Sequence, residues 1–175
     1  MSNYNKRNRK TQAVALYGML IALAFIFSYI EAMIPFPIPI PGVKLGLANL
    51  VNVVGLYSVG AVGTAAVSLV RIVLVGFTFS NTFSMLYSLA GGILSLIVMI
   101  LAKRSGWFGK AGVSILGGIF HNIGQLTVAA YVTKTAGVFT YFPVLLMAGV
   151  VTGSVIGLLG GMVLERIDPV VGRKK

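Results

Sequence analysis

Apolar residues in this chain come in long runs, several of which approach or exceed the roughly 18 residues that mark a transmembrane helix. They predict six spans, at roughly 12–34, 45–59, 62–79, 83–102, 112–132 and 142–164. The joints between them are short. Gly60 and Gly63 mark a tight turn after the second span, which is itself short, and 79–82 (FSNT) form a turn before the fourth. Lys103 and Arg104 stop the fourth, and the loop at 105–110 carries Trp107, suited to an interfacial anchor.

One joint differs from the others. Pro35, Pro37, Pro39 and Pro41 stand at every second position, so this stretch cannot be helix and is expected to be an extended, semi-rigid connector. Gly42 permits a turn, and Lys44 places a cation where the second span begins. That span carries Asn49 and Asn52, three residues apart and so on one helix face. A stiff loop feeding a helix with two carboxamides on one side suggests a lid at 35–44 over a polar pocket.

Composition agrees with the pattern. Of the 175 residues, 57% are hydrophobic and 10% charged, with a mean hydropathy of +0.95, as in an integral membrane protein. The length suits one domain over 1–175, with a basic leader at 1–11 and a tail at 166–175. The apolar run at 13–34 is too long for a signal-peptide core, and no convincing cleavage site follows, so it is expected to be a retained first span.

The net charge of +11 raises the prospect of nucleic acid, but its distribution points to lipid instead. Eleven basic residues flank the spans on one predicted side: Lys6, Arg7, Arg9, Lys10, Lys103, Arg104, Lys110, Arg166, Arg173, Lys174 and Lys175. Only Lys44 and Lys134 fall opposite, while Arg71 lies inside a span. An even span count and the positive-inside bias therefore put both termini in the cytoplasm of a multi-pass protein. The fold expected is an all-α bundle of six transmembrane helices.

Chemistry is constrained by what is missing. With no cysteine, thiolate metal sites and disulfides are excluded. Three acidic residues in total cannot build an Asp-rich magnesium–diphosphate site, and no G-x-x-x-x-G-K-[ST] loop is present. The chain is expected to be no enzyme, to hold no cofactor or metal, and to depend on a partner for any ATP-driven work.

The polar groups inside the spans are the candidates for binding. Arg71 sits roughly 16 Å into its span at about 1.5 Å per residue. A guanidinium there costs roughly 2.5–3.5 kcal/mol to insert, so it should face the bundle interior with an anionic partner. Two partners are open: Glu31, the acidic residue within the apolar spans, or a carboxylate or phosphate of a ligand, which the planar donor fork suits. Asn49 and Asn52 are expected about 6 and 11 Å below the start of the second span, with Gln125 approaching the same level and His121 and Asn122 deeper. His121 and Gln125 (i, i+4), or Asn122 and Gln125 (i, i+3), can share a face. His121 fits either a helix–helix hydrogen bond or the site; a metal role lacks companion ligands.

Small residues recur at four-residue spacing: Gly149, Gly153, Gly157 and Gly161; Ser84, Ser88 and Gly92; Gly18 and Ala22. Such stripes permit close helix contact within lipid, either inside the bundle or against another membrane subunit.

With its basic leader and the first span, the segment PGVKLGLANLVNVVGLY (41–57) resembles the small membrane proteins called heptaprenyl diphosphate synthase component I, or the Gx transporter family. These are in turn similar to the substrate-binding S components of energy-coupling-factor transporters. The resemblance implies an S-component-like six-helix bundle in a bacterial cytoplasmic membrane, with an outward pocket closed by the loop between the first two helices. It also implies docking through small residues of the first helix, here Gly18 and Ala22 without an Ala-x-x-x-Ala pattern, to a membrane coupling subunit driven by two ATPases. The expected ligand is a small anionic cofactor precursor held by Lys44, Asn49, Asn52, Arg71, His121, Asn122 and Gln125. A second expectation is a non-catalytic membrane subunit of an isoprenoid or quinone biosynthetic assembly; a stand-alone channel fits poorly with the glycine-rich spans.

Overall fold

In the computed structural model, which describes residues 2–34 and 46–171, the chain is all helical. The order is α1 (Ser2–Met33), α2 (Asn49–Ser58), α3 (Gly60–Thr78), α4 (Thr82–Ser105), α5 (Lys110–Thr133), a 3₁₀ turn (Ala136–Tyr141) and α6 (Phe142–Val171). Stretches of five of these (Thr11–Met33, Gly60–Thr78, Thr82–Ser105, Lys110–Thr133 and, including the 3₁₀ turn, Ala136–Ile167) are long and apolar enough to cross a membrane. The lid segment 35–44, Lys44 included, lies outside the described residues.

The second helix is the exception. Its ten residues reach about 15 Å, roughly half of a bilayer's hydrocarbon core. Such a helix survives because the other five surround it. Val51 and Val54 join Leu20, Ala24, Val67 and Leu164 in one apolar cluster. Val53 and Leu56 join Met99, Ala102, Val113 and Ile156 in another. Seven of its ten residues are buried, Asn49 and Asn52 among them, so it has little surface to offer either water or lipid. It is the hub on which the longer helices pack.

Local signals set the ends. Gly46 has φ +85° and leads through one turn, with Asn49 N–H donating to the Gly46 carbonyl at 2.8 Å, into α2. Gly60, also at φ +85°, follows the end of α2 and reverses the chain into α3. The left-handed region costs a side chain about 1–2 kcal/mol, so glycine fits both places. Gly63, expected in the same turn, instead lies in the first turn of α3, where a Cβ would stand 2.5 Å from the Tyr17 hydroxyl. Asn81 caps α4 by accepting from Ser84 N–H at 2.8 Å.

Glycine governs the two closest helix pairs, α5 with α6 and α4 with α5. A Cβ on Gly153 would fall 2.6 Å from the Ile115 Cα, and one on Gly157 would fall 2.6 Å from the Ala111 Cα. Gly149 meets Ile119 in the same way. Three of the four glycines in the α6 stripe therefore serve contact inside the bundle. A Cβ on the fourth, Gly161, would meet nothing within 4 Å, and Gly160 faces Val53 of α2 instead. On α4, Gly91 crosses Gly124 of α5 at backbone distance.

At one end of the bundle, Lys103 Nζ donates to the Leu56 carbonyl at 2.6 Å and sits 4.4 Å from the Tyr57 ring centre. This bond ties the C-terminus of α4 to that of α2, satisfying a carbonyl that the helix end leaves open. Gln12 of α1 and Arg166 of α6 line a cleft with Ser58 at this same end of α2. At the other end, Phe79 packs edge-on against Phe25 and Tyr29, each at 5.3 Å between ring centres, joining α3 to α1.

Candidate functional site

Many of the buried polar side chains gather around the start of α2, whereas Ser114 lies at the other end of α5. Those near α2 form short connected chains across helices, as low-dielectric surroundings demand of polar groups removed from water.

The first chain runs from α2 to α3. Asn52 Nδ2 donates to Asn49 Oδ1 at 3.0 Å, and Ser68 Oγ donates to Asn52 Oδ1 at 2.5 Å. Helical spacing put the two amides on one face, and both are buried. Ser68 stands one turn before Arg71, on the same side of α3.

The second chain runs from α3 to α1. Arg71, 6% exposed, donates from Nη1 to Ser28 Oγ at 3.1 Å, and Ser28 in turn donates to the Ala24 carbonyl at 2.9 Å. Arg71 Nε is buried with no hydrogen-bond partner among the described residues. Glu31, a turn beyond Ser28 on α1, acts on the guanidinium as a nearby negative charge. Its carboxylate also accepts the backbone N–H of Gly46. The sequence left Arg71 with two candidate partners; its hydrogen bond goes to a hydroxyl, and Glu31 contributes through space.

The Gly46 bond matters for geometry. Residues 31 and 46 bracket the proline segment, and the bond ties the residue that leads into α2 back to α1. A Cβ at Gly46 would stand 3.0 Å from Asn49 Nδ2 and 3.7 Å from His121 Cδ2. His121 therefore sits at the level of Asn49, rather than deeper as its place in the fifth span suggested.

His121 and Gln125 occupy the same side of α5, against Gly91 of α4. A Cβ on Gly91 would fall 2.8 Å from the His121 carbonyl and 3.0 Å from both His121 Nδ1 and Gln125 Cγ. Gln125 is fully buried. Asn122 points elsewhere: its Nδ2 donates to the Leu145 carbonyl at 2.7 Å and fixes α5 to α6. Of the residues expected from the sequence, Asn49, Asn52, Arg71, His121 and Gln125 fall around one region, and Asn122 serves a helix contact. Lys44 lies outside the described residues.

Sequence reasoning overlooked Ser28, Ser68, Gly46 and Gly91. Ser28 with Glu31, and Ser68 with Arg71, are pairs at i, i+3 in otherwise apolar spans, a spacing that signals a shared polar face. Gly46 and Gly91 carried no such signal, because their role depends on what packs against them.

Among the described residues no three His, Asp or Glu side chains come together. The region thus offers amides, hydroxyls, an imidazole and a guanidinium, with the Glu31 carboxylate beside the guanidinium. The donors among those groups recognise oxygen-rich anions by hydrogen bonds and charge. For the small-residue pair of α1, Gly18 and Ala22 are both exposed on the outer face, with nothing near a Cβ on Gly18.

The model of the heptaprenyl diphosphate synthase component I family matches residues 20–163, a stretch that contains every site residue described above. No curated protein and no solved structure matches the chain.

Proposed function

The chain belongs to the heptaprenyl diphosphate synthase component I family, and from that premise we propose that it is the membrane-embedded, substrate-binding component of an energy-coupling-factor type uptake transporter. Its ligand is a small anionic cofactor precursor, held by Arg71 with Asn49, Asn52, His121 and Gln125. Lys44 and the segment 35–44 close over it. The observation that carries this reading is Arg71: a buried guanidinium whose Nε has no partner among the described residues, beside amides and hydroxyls already aligned by helix contacts. Intramembrane ionisable groups are costly, and a retained one marks a binding path.

The same reading puts the chain in a bacterial cytoplasmic membrane with six passages and both termini inside. The charge asymmetry sets the orientation. The chain binds without catalysing; its scarcity of acidic residues leaves ATP hydrolysis to partners. The exposed Gly18–Ala22 face of α1 supports docking to a membrane coupling subunit.

A thermal-shift screen of the purified protein against anionic vitamins and prenyl diphosphates tests the site. The expected result is a ligand that stabilises the wild type and does not stabilise Arg71→Ala. Equal stabilisation of both by every ligand refutes the assignment.

The family description favours a second reading, a non-catalytic membrane subunit of an isoprenoid or quinone biosynthetic assembly. Co-purification separates the two. A soluble prenyltransferase retained on the protein supports the second; a coupling subunit with an ATPase pair supports the first.

A further inference from the structure

At the basic end of the bundle, opposite the polar site, a cleft of about 590 Å³ opens between α1, the α2–α3 turn and α6. Its walls are apolar, with Leu16, Val59 and Ile167, while Gln12, Ser58 and Arg166 bring polar groups to it. The volume lies within the roughly 300–1,000 Å³ usual for small-ligand sites. The bond from Lys103 to the Leu56 carbonyl, two residues before Ser58, places Lys103 at the same end. Trp107, 88% exposed on the loop after α4, marks the interfacial level there. In the turns of α1 before Gln12 the sequence adds Lys6, Arg7, Arg9 and Lys10.

We infer that this cleft binds an anionic phospholipid of the adjoining leaflet, its acyl chain along Leu16 and Ile167 and its phosphate at Arg166. Charge complementarity selects that occupant. The end is basic, a cleft with apolar walls and a guanidinium matches an amphiphile with an anionic head, and basic residues near a membrane surface favour acidic lipids. Arginine matches phosphate oxygens with a two-pronged donor fork, and Gln12 and Ser58 supply further hydrogen bonds. A transporter subunit that must pack against a partner gains from a lipid holding α1 to α6, since α1 makes its main contacts with α2 and α3.

Native mass spectrometry of the full chain, exchanged from detergent into phosphatidylglycerol or phosphatidylcholine, tests this. Wild type should retain phosphatidylglycerol selectively. Arg166→Gln, at an exposed position, should retain it about fivefold less. Ala15→Phe, which fills the cleft wall, should lose the adduct while keeping the helical circular dichroism of wild type. Arg71→Ala should keep it, which separates this site from the substrate site. Equal retention of the two lipids, or unchanged retention in Arg166→Gln, overturns the inference. So does cross-linking of Ala15→Cys to a protein partner instead of lipid.

Discussion

Arg71 Nη1 donates to Ser28 Oγ at 3.1 Å, joining α3 to α1 at the point where Glu31, one turn further along α1, holds the start of α2 through Gly46 N–H. Three helices thus meet on one buried charge and one carboxylate. A buried cation survives only when the surroundings replace its hydration, and here a hydroxyl and a nearby carboxylate share that task.

Because the two charges act on each other, their mutations should not add. Arg71→Gln should cost about 3 kcal/mol by removing the positive charge beside the buried Glu31 carboxylate. Adding Glu31→Gln should restore at least about 1 kcal/mol of that loss. Thermal unfolding of both single variants and the double variant in detergent measures the coupling; strict additivity means the charges do not communicate.

The amide chain is a separate stability element. Asn52→Leu removes the donor to Asn49 Oδ1 and the acceptor for Ser68 Oγ, stranding two buried polar groups. About 2 kcal/mol should be lost, because an orphaned group forfeits its full desolvation cost. Asn52→Leu/Ser68→Ala should recover part of it, by calorimetry of the purified variants.

Glycines of the α6 stripe should differ by position. Gly153→Ala drives a methyl into the Ile115 backbone and should cost about 1–3 kcal/mol, since a backbone cannot yield as a side chain does. Gly161→Ala meets nothing and should stay within about 0.5 kcal/mol of wild type. Equal losses at the two sites would mean that α5 and α6 do not cross where the structure puts them.

Gly46→Ala should weaken ligand binding more than it weakens the fold. Its φ of +85° costs a side chain about 1–2 kcal/mol, and the new methyl presses on Asn49 Nδ2 at 3.0 Å. A binding isotherm for whichever anion the thermal screen selects should show a loss of affinity while the helical circular dichroism stays unchanged.

Lys103→Met should lower stability by about 1–2 kcal/mol, through the lost charge-assisted bond to the Leu56 carbonyl and the lost contact with the Tyr57 ring. Lys103→Arg should restore most of it. Thermal melts of the three proteins in one detergent are enough to rank them.

The sequence by itself determined that this is a helical membrane protein, where most of its helices run, and which of its polar residues lie within apolar spans. Those properties depend on composition and on spacing along one helix, which the chain carries locally: the apolar runs, the Asn49–Asn52 pair, the isolated charge at Arg71. Only the tertiary structure decided who meets whom. It buried the ten-residue α2 among longer helices, joined Arg71 to Ser28, turned Asn122 to the Leu145 carbonyl, and raised His121 to the level of Asn49. Depth counted in residues assumes straight, parallel helices, whereas glycine crossings such as Gly91 with Gly124 set the real approach and offset of each pair. A hydrogen-bond partner is a property of two surfaces in contact, and no single helix encodes it.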